Sequence, residues 1–392
     1  MSEELRPLTG VTVVAVEQAV AAPLATRILA DYGARVIKVE RPDGGDFARH
    51  YDTAVNGMSS HFVWVNRSKQ SIALDLQLEA DRKVVERMLE TADVFVQNLG
   101  PGAAKRLGLG PEELHARFPR LVVCSISGYG DSGPLQGRKA YDLLVQCETG
   151  VLAVTGTPEL PCKVGISVAD IAGGMYAAQA IVMALYRRER IGRGARVDVS
   201  LFDALADWMG FPAYFTAYSD KPPERSGAAH STIAPYGPFR VGDGTQVFLG
   251  VQNDAQWAQL CQAVLGDPAL ATDERFATNH GRVRHRADLT ARIEQRFATS
   301  TRHAVLDLLD AAGIPCASFN TVAEFLQHPQ LLLRGRLDRI GSPVGELLTF
   351  APPVDFDDAS RRLGPIPGAG EHTNALLREF GFPQRANVGG AR

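Results

Sequence analysis

The 392-residue chain lacks most of the signatures of metal, redox and nucleotide chemistry. Its five cysteines (Cys124, Cys147, Cys162, Cys261 and Cys316) are widely spread, odd in number and form no Cys-x-x-Cys pair. That excludes a disulfide framework and points to reduced thiols in a cytoplasmic protein. The nine histidines include no His-x-x-x-His pair, so no metal is expected. No P-loop and no Gly-x-Ser-x-Gly elbow occur, which argues against kinase and serine-hydrolase chemistry. A net charge of −3 gives no reason to expect a nucleic-acid partner. No apolar run looks long enough for a membrane span, and the acidic, polar N-terminus does not read as a signal peptide. What remains is 45% hydrophobic and 22% charged, the balance of a soluble enzyme with a core large enough for two domains.

The first half alternates strands and helices. Val11–Val16 reads as a buried strand, about Ala22–Tyr32 as a helix and Arg35–Glu40 as a second strand. Further strands are expected at Ser71–Leu76, Val94–Asn98, Leu121–Ile126 and Arg196–Ser200, with a helix at about Glu79–Thr91. This is the pattern of a doubly wound α/β domain, in which ligands sit beyond the carboxyl ends of parallel strands. The first strand-to-helix turn, Glu17-Gln-Ala-Val-Ala-Ala-Pro23, lacks the Gly-x-Gly-x-x-Gly fingerprint, so no nicotinamide or flavin cofactor is expected there. The proline-bearing run near Tyr218–Arg225 reads as part of a linker, 211–228. Beyond it, a hairpin turning at Asp243-Gly244 and three helices make a smaller α+β domain, 229–325. Residues 326–392 return to the large domain, whose N-terminal part is 1–210.

One acidic residue stands out. Asp170 lies between a short apolar run and a long small-residue helix, with Ala169, Ala172, Gly173 and Gly174 around it. Its position at a helix start favours bonds from backbone amides and an ionised carboxylate. Spacing alone leaves two readings open, a helix cap and a nucleophile. The small neighbours allow a ligand or another chain segment to come close.

Several stretches then combine in a fixed order: Ala21-Ala-Pro, Gly33–Pro42, Asn66–Asp75, Asp93–Asn98, Ser127-Gly-Tyr-Gly130, Val168-Ala-Asp170, Gly192–Asp198 and Gly370-Glu-His-Thr373. Together, from Leu8 to Phe380, they resemble the family III CoA-transferases. The resemblance implies a Rossmann-like doubly wound large domain built from both chain ends, a smaller α+β domain and an interlocked homodimer. It also implies that Asp170 is the catalytic aspartate. CoA is then moved from an acyl-CoA donor, succinyl-CoA or another dicarboxylyl-CoA, to an acceptor acid through an aspartyl-acyl anhydride and an aspartyl-CoA thioester. No metal, ATP or general base is required, and backbone amides near Ile171–Gly173 are candidate oxyanion donors.

The same resemblance places CoA contacts at Val20, Ala21, Arg41, Leu74, Asn98, Leu99, Ala103, Arg106, Lys139 and Tyr141. Arg41 and Arg106 are the leading phosphate contacts. Gln77 and Leu99 stand where some family members carry Lys. The alternative function is a 2-methylacyl-CoA racemase. Racemases resembling this family have a His-Asp pair where this chain has Tyr141-Asp142, and a phenol of ordinary pKa, about 10, exchanges protons poorly near neutrality. For the acceptor acid, Arg225 or a protonated His230 could hold a distal carboxylate, while an ordinary loop role for His230 stays open.

Overall fold

The computed structural model describes residues 6–385 except 220, 358 and 360. The chain divides into two compact units. The first takes residues up to Thr149, Val164–Gly210 and the segment from Leu332 onward. The second takes Gly150–Lys163 and Phe211–Leu331.

Six parallel strands organise the first unit: β1 (Thr12–Val16), β2 (Arg35–Glu40), β3 (Lys69–Ala73), β4 (Val94–Gln97), β5 (Val122–Ser127) and β6 (Arg196–Ser200). Their spatial order is β3-β2-β1-β4-β5-β6. β1 to β5 are largely buried, as a sheet covered by helices requires, whereas the edge strand β6 exposes Arg196 and Asp198. β1 pairs in parallel with both β2 and β4, so the chain leaves β1 in one direction and later resumes on its other side. The resulting crevice lies beyond the carboxyl ends of β1 and β4, where ligands bind in such sheets.

Three helices position the site: α1 (Ala21–Asp31), α2 (Asp142–Glu148) and α3 (Val168–Ile191). By length and composition α3 could cross a membrane, contrary to the reading from apolar runs. Half of its most apolar stretch is nevertheless buried inside the protein, as in a core helix. Its buried side is mostly Ala and Gly over the first half, from Ala169 to Ala178, which lets neighbouring backbone approach closely.

In the second unit, β7 (Tyr236–Arg240), β8 (Gln246–Gly250) and β9 (Cys316–Ser318) form an antiparallel sheet. The expected hairpin is present, with Thr245 closing on the Asp243 side chain. Trp257, Phe276, Ile293 and Phe297 fill this unit's core. Three features depart from the domain boundaries expected above. Residues 211–219, assigned to a linker, belong to the Gly210–Ser219 helix, and both Gly150–Lys163 and residues 326–331 group with the second unit.

Candidate active site

Asp170 lies in the first turn of α3, with Ser167 as N-cap and Val168 and Ala169 buried beside it. It is half-buried. The carboxylate that caps this helix belongs to Asp142 instead. Asp142 Oδ1 accepts from the amides of Ala169 (2.8 Å) and Asp170 (3.3 Å). Its other oxygen, Oδ2, accepts from Gln146 Nε2 at 2.7 Å. Gln146 is fully buried one turn along α2, and its Oε1 accepts from the Val164 amide at 3.0 Å. The chain before α3 and the helix start are thus tied to α2 through one amide–carboxylate pair.

This arrangement works against the expected ionisation. Burial, and then the Asp142 charge, push the Asp170 carboxyl up to about 7. Amide bonds that would have favoured the anion go to Asp142. The result is a carboxylate titrating near neutrality, with its charge poorly solvated when formed.

Of the small residues after Asp170, Gly174 makes room for α1 and Gly173 for Leu201. A Cβ on Gly174 would lie 2.6 Å from the Ala21 carbonyl oxygen, and one on Gly173 would lie 2.5 Å from Leu201 Cδ2. Glycine at 174, one turn past Asp170, therefore brings the start of α1 against α3. Val20, Leu24 and Val65 form a buried cluster on which Ile171 packs. α1 has no side-chain cap. Pro23 has no N–H and the Leu24 amide donates to the Val20 carbonyl at 2.8 Å, so the amides of Ala21 and Ala22 are the first-turn donors without an intrahelical acceptor, at the positive end of the helix dipole. The amides of Ile171–Gly173, expected to serve as oxyanion donors, are instead used within α3. That of Ile171 donates to Ser167 O at 2.9 Å. The start of α1 offers the uncommitted donors.

Tyr51 was not singled out from the sequence. Its phenol is pushed up to about 12 by burial and then by Asp46, Asp170 and Tyr141, so it shares their electrostatic neighbourhood. Its ring meets His61 edge-on at 5.4 Å.

The CoA-transferase family III sequence profile matches residues 8–373. The chain belongs to this family. It is 37% identical to an acetyl-CoA:oxalate CoA-transferase of Acetobacter aceti, covering 96% of this chain and 97% of the relative. It is 34% identical to a mouse succinyl-CoA:glutarate CoA-transferase, covering 96% and 87%. Its structure matches a CaiB/BaiF family protein from Brucella suis with a TM-score of 0.84 at 37% identity, over 96% of this chain and 99% of that one. This family III protein is a CoA-transferase, and its substrates are CoA thioesters.

The residues given to CoA by resemblance have varied surroundings. Val20 and Ala21 are buried at the start of α1. Asn98 receives the Gln18 amide on Oδ1 (2.9 Å) and donates to the Gln18 carbonyl (2.8 Å), which fixes the turn after β1. Arg41 is exposed, with Asp43 3.8 Å away. Ala103 and Arg106 line a cleft of about 530 Å³ together with Gln77, Glu79, Arg82 and Glu86. Lys139 and Tyr141 are exposed. The side chains of Leu74 and Leu99 pack in or against the core, so any ligand contact at Leu74 falls to its backbone.

Arg225 and His230 belong to the second unit. The Arg225 guanidinium donates to the carbonyls of Thr157 (2.8 Å), Pro158 (2.7 Å) and Ala153 (3.3 Å). His230 stacks on Tyr236, and its Nδ1 lies 3.2 Å from the Thr232 amide. Burial and then Arg286 lower its pKa, which opposes the protonated form expected from the sequence.

Proposed function

We propose that this transferase moves CoA between dicarboxylic acids through covalent intermediates on Asp170. The Asp170 carboxylate attacks the thioester carbonyl, the C–S bond breaks, and CoA leaves as the thiolate with a mixed anhydride behind it. Thiolate then attacks the aspartyl carbonyl carbon. The anhydride C–O bond breaks, the first acid departs as its carboxylate, and an aspartyl-CoA thioester remains. An acceptor carboxylate attacks that thioester and expels thiolate. Thiolate attack on the acceptor acyl carbon releases acyl-CoA and restores Asp170. Every nucleophile is an anion, so no net proton moves.

The supporting observation is the placement of a destabilised carboxyl, Asp170, beside an uncapped helix start. Poor solvation of the anion favours its acylation, and the free amides of α1 offer bonds to developing oxyanions. The relatives' names support diacids, since oxalate and glutarate both carry two carboxylates. The racemase alternative is not favoured, because those relatives are named as transferases. The test is exchange between succinyl-CoA and a panel of mono- and dicarboxylic acids. Transfer to glutarate or oxalate that disappears in Asp170→Ala is expected. Transfer to monoacids alone removes the diacid reading, and α-proton exchange with solvent without CoA transfer would restore the racemase.

A further inference from the structure

Beneath the turn after β1 lies a group of charges for which the acyl-transfer chemistry has no direct use. Lys38, in the middle of β2, is fully buried. Its Nζ donates to Asp46 Oδ2 (2.8 Å), to the Glu17 carbonyl (3.2 Å) and to Glu17 Oε1 (3.4 Å). Asp46 Oδ1 accepts from the amides of Ala19 (3.0 Å) and Ala48 (2.9 Å). Lys38 therefore holds the carbonyl that enters the turn and also the carboxylate that grips the amide inside it. Ala19 has φ +61°, the left-handed region that a residue with a Cβ adopts only at a cost. Asn98 clasps Gln18 from the other side. The next residue is Val20, where α1 begins against α3 one turn past Asp170.

We propose that the Lys38–Asp46 pair is a positioning device that sets the turn Gln18–Val20, and through it the amides that the start of α1 presents to the acyl group. Stability alone is a poor reason for the pair. A buried ion pair repays its desolvation only with excellent geometry, and apolar residues of similar volume often serve as well. An apolar side chain at 46 cannot accept the Ala19 amide. The surrounding charges balance, with Glu17, Glu40 and Asp46 against Lys38, Lys69 and Arg49. Neutralising Lys38 and Asp46 together leaves that balance intact.

This inference rests on the Asp170 reading above, and the test separates the two. Formation of the acyl adduct on Asp170 is followed in single turnovers of the full chain with succinyl-CoA, with the thermal unfolding midpoint measured alongside. Lys38→Met/Asp46→Leu removes the acceptor, and adduct formation slows on the order of 10- to 100-fold, with a smaller change in the KM for acyl-CoA. Lys38→Met/Asp46→Asn keeps a side-chain carbonyl for the Ala19 amide and restores most of the rate. Ala19→Val, at a half-buried turn position, strains the turn without touching the charges and also slows the step. Equal rates in the two double variants, or a parental rate in the Leu variant, overturn the positioning role. If the Leu variant does not fold, a parental rate in Ala19→Val overturns it. Absence of an adduct in the parent protein defeats the Asp170 reading instead.

Discussion

At the residue scale, the pKa of Asp170 decides when the proposed nucleophile is available. The carboxyl is raised from an ordinary value of 3.8 to about 7, by burial first and by Asp142 second. Only the anion attacks, so the rate of adduct formation is expected to fall as pH drops through 7, approaching tenfold per unit below it. Asp142→Asn keeps a side-chain oxygen for the Ala169 amide and removes the repelling charge. The midpoint is expected to move down but to stay above the ordinary 3.8, because burial is the larger cause. A pH profile flat between 5 and 8 in the parent contradicts this. The sequence made Asp170 legible as a residue but misjudged its ionisation. Burial is the larger cause, and Asp142, 28 positions earlier, adds its charge and takes the helix amides. Local spacing carries no sign of that contact, although Tyr141-Asp142 was itself conspicuous. The Lys38 network had a visible signal too, a Lys between Ile37 and Val39 in the expected strand Arg35–Glu40.

At the scale of elements, the contact between α1 and α3 turns on Gly174. Replacing a mid-helix glycine by alanine gains about 1 kcal/mol of helix propensity. Here the new methyl would lie 2.6 Å from a backbone carbonyl, which cannot rotate away like a side chain. Overpacking of this kind costs about 1–3 kcal/mol, so the loss outweighs the gain. Gly174→Ala is expected to lower the unfolding midpoint and to slow adduct formation by shifting α1. An unchanged or raised midpoint would show that the two helices separate freely. The small residues after Asp170 were readable as a place of close approach. What approaches was not readable, since periodicity does not specify which helix packs on which. The short helices at Ser60–Val65, Pro111–Arg117 and Asp142–Glu148 went unread for a related reason. Each is under eight residues, too short for a 3.6-residue period to rise above its surroundings.

At the scale of the whole molecule, alternating strands and helices announced a parallel sheet, and the ordered motifs announced the family. The strand order and the crevice between β1 and β4 emerged only in the folded chain. The units divide the chain less simply than a linker reading allowed, because 150–163 is separated in sequence from the rest of its unit and carries no break in composition. Function at this scale reduces to one claim, that CoA transfer proceeds through acylated Asp170. The most direct measurement is mass spectrometry of the Asp170-containing peptide after mixing the enzyme with succinyl-CoA and quenching with hydroxylamine. A hydroxamate on Asp170, formed only with acyl-CoA and absent from Asp170→Ala, is the predicted result. An unmodified Asp170 in an enzyme that is exchanging thioesters at full rate would contradict the account.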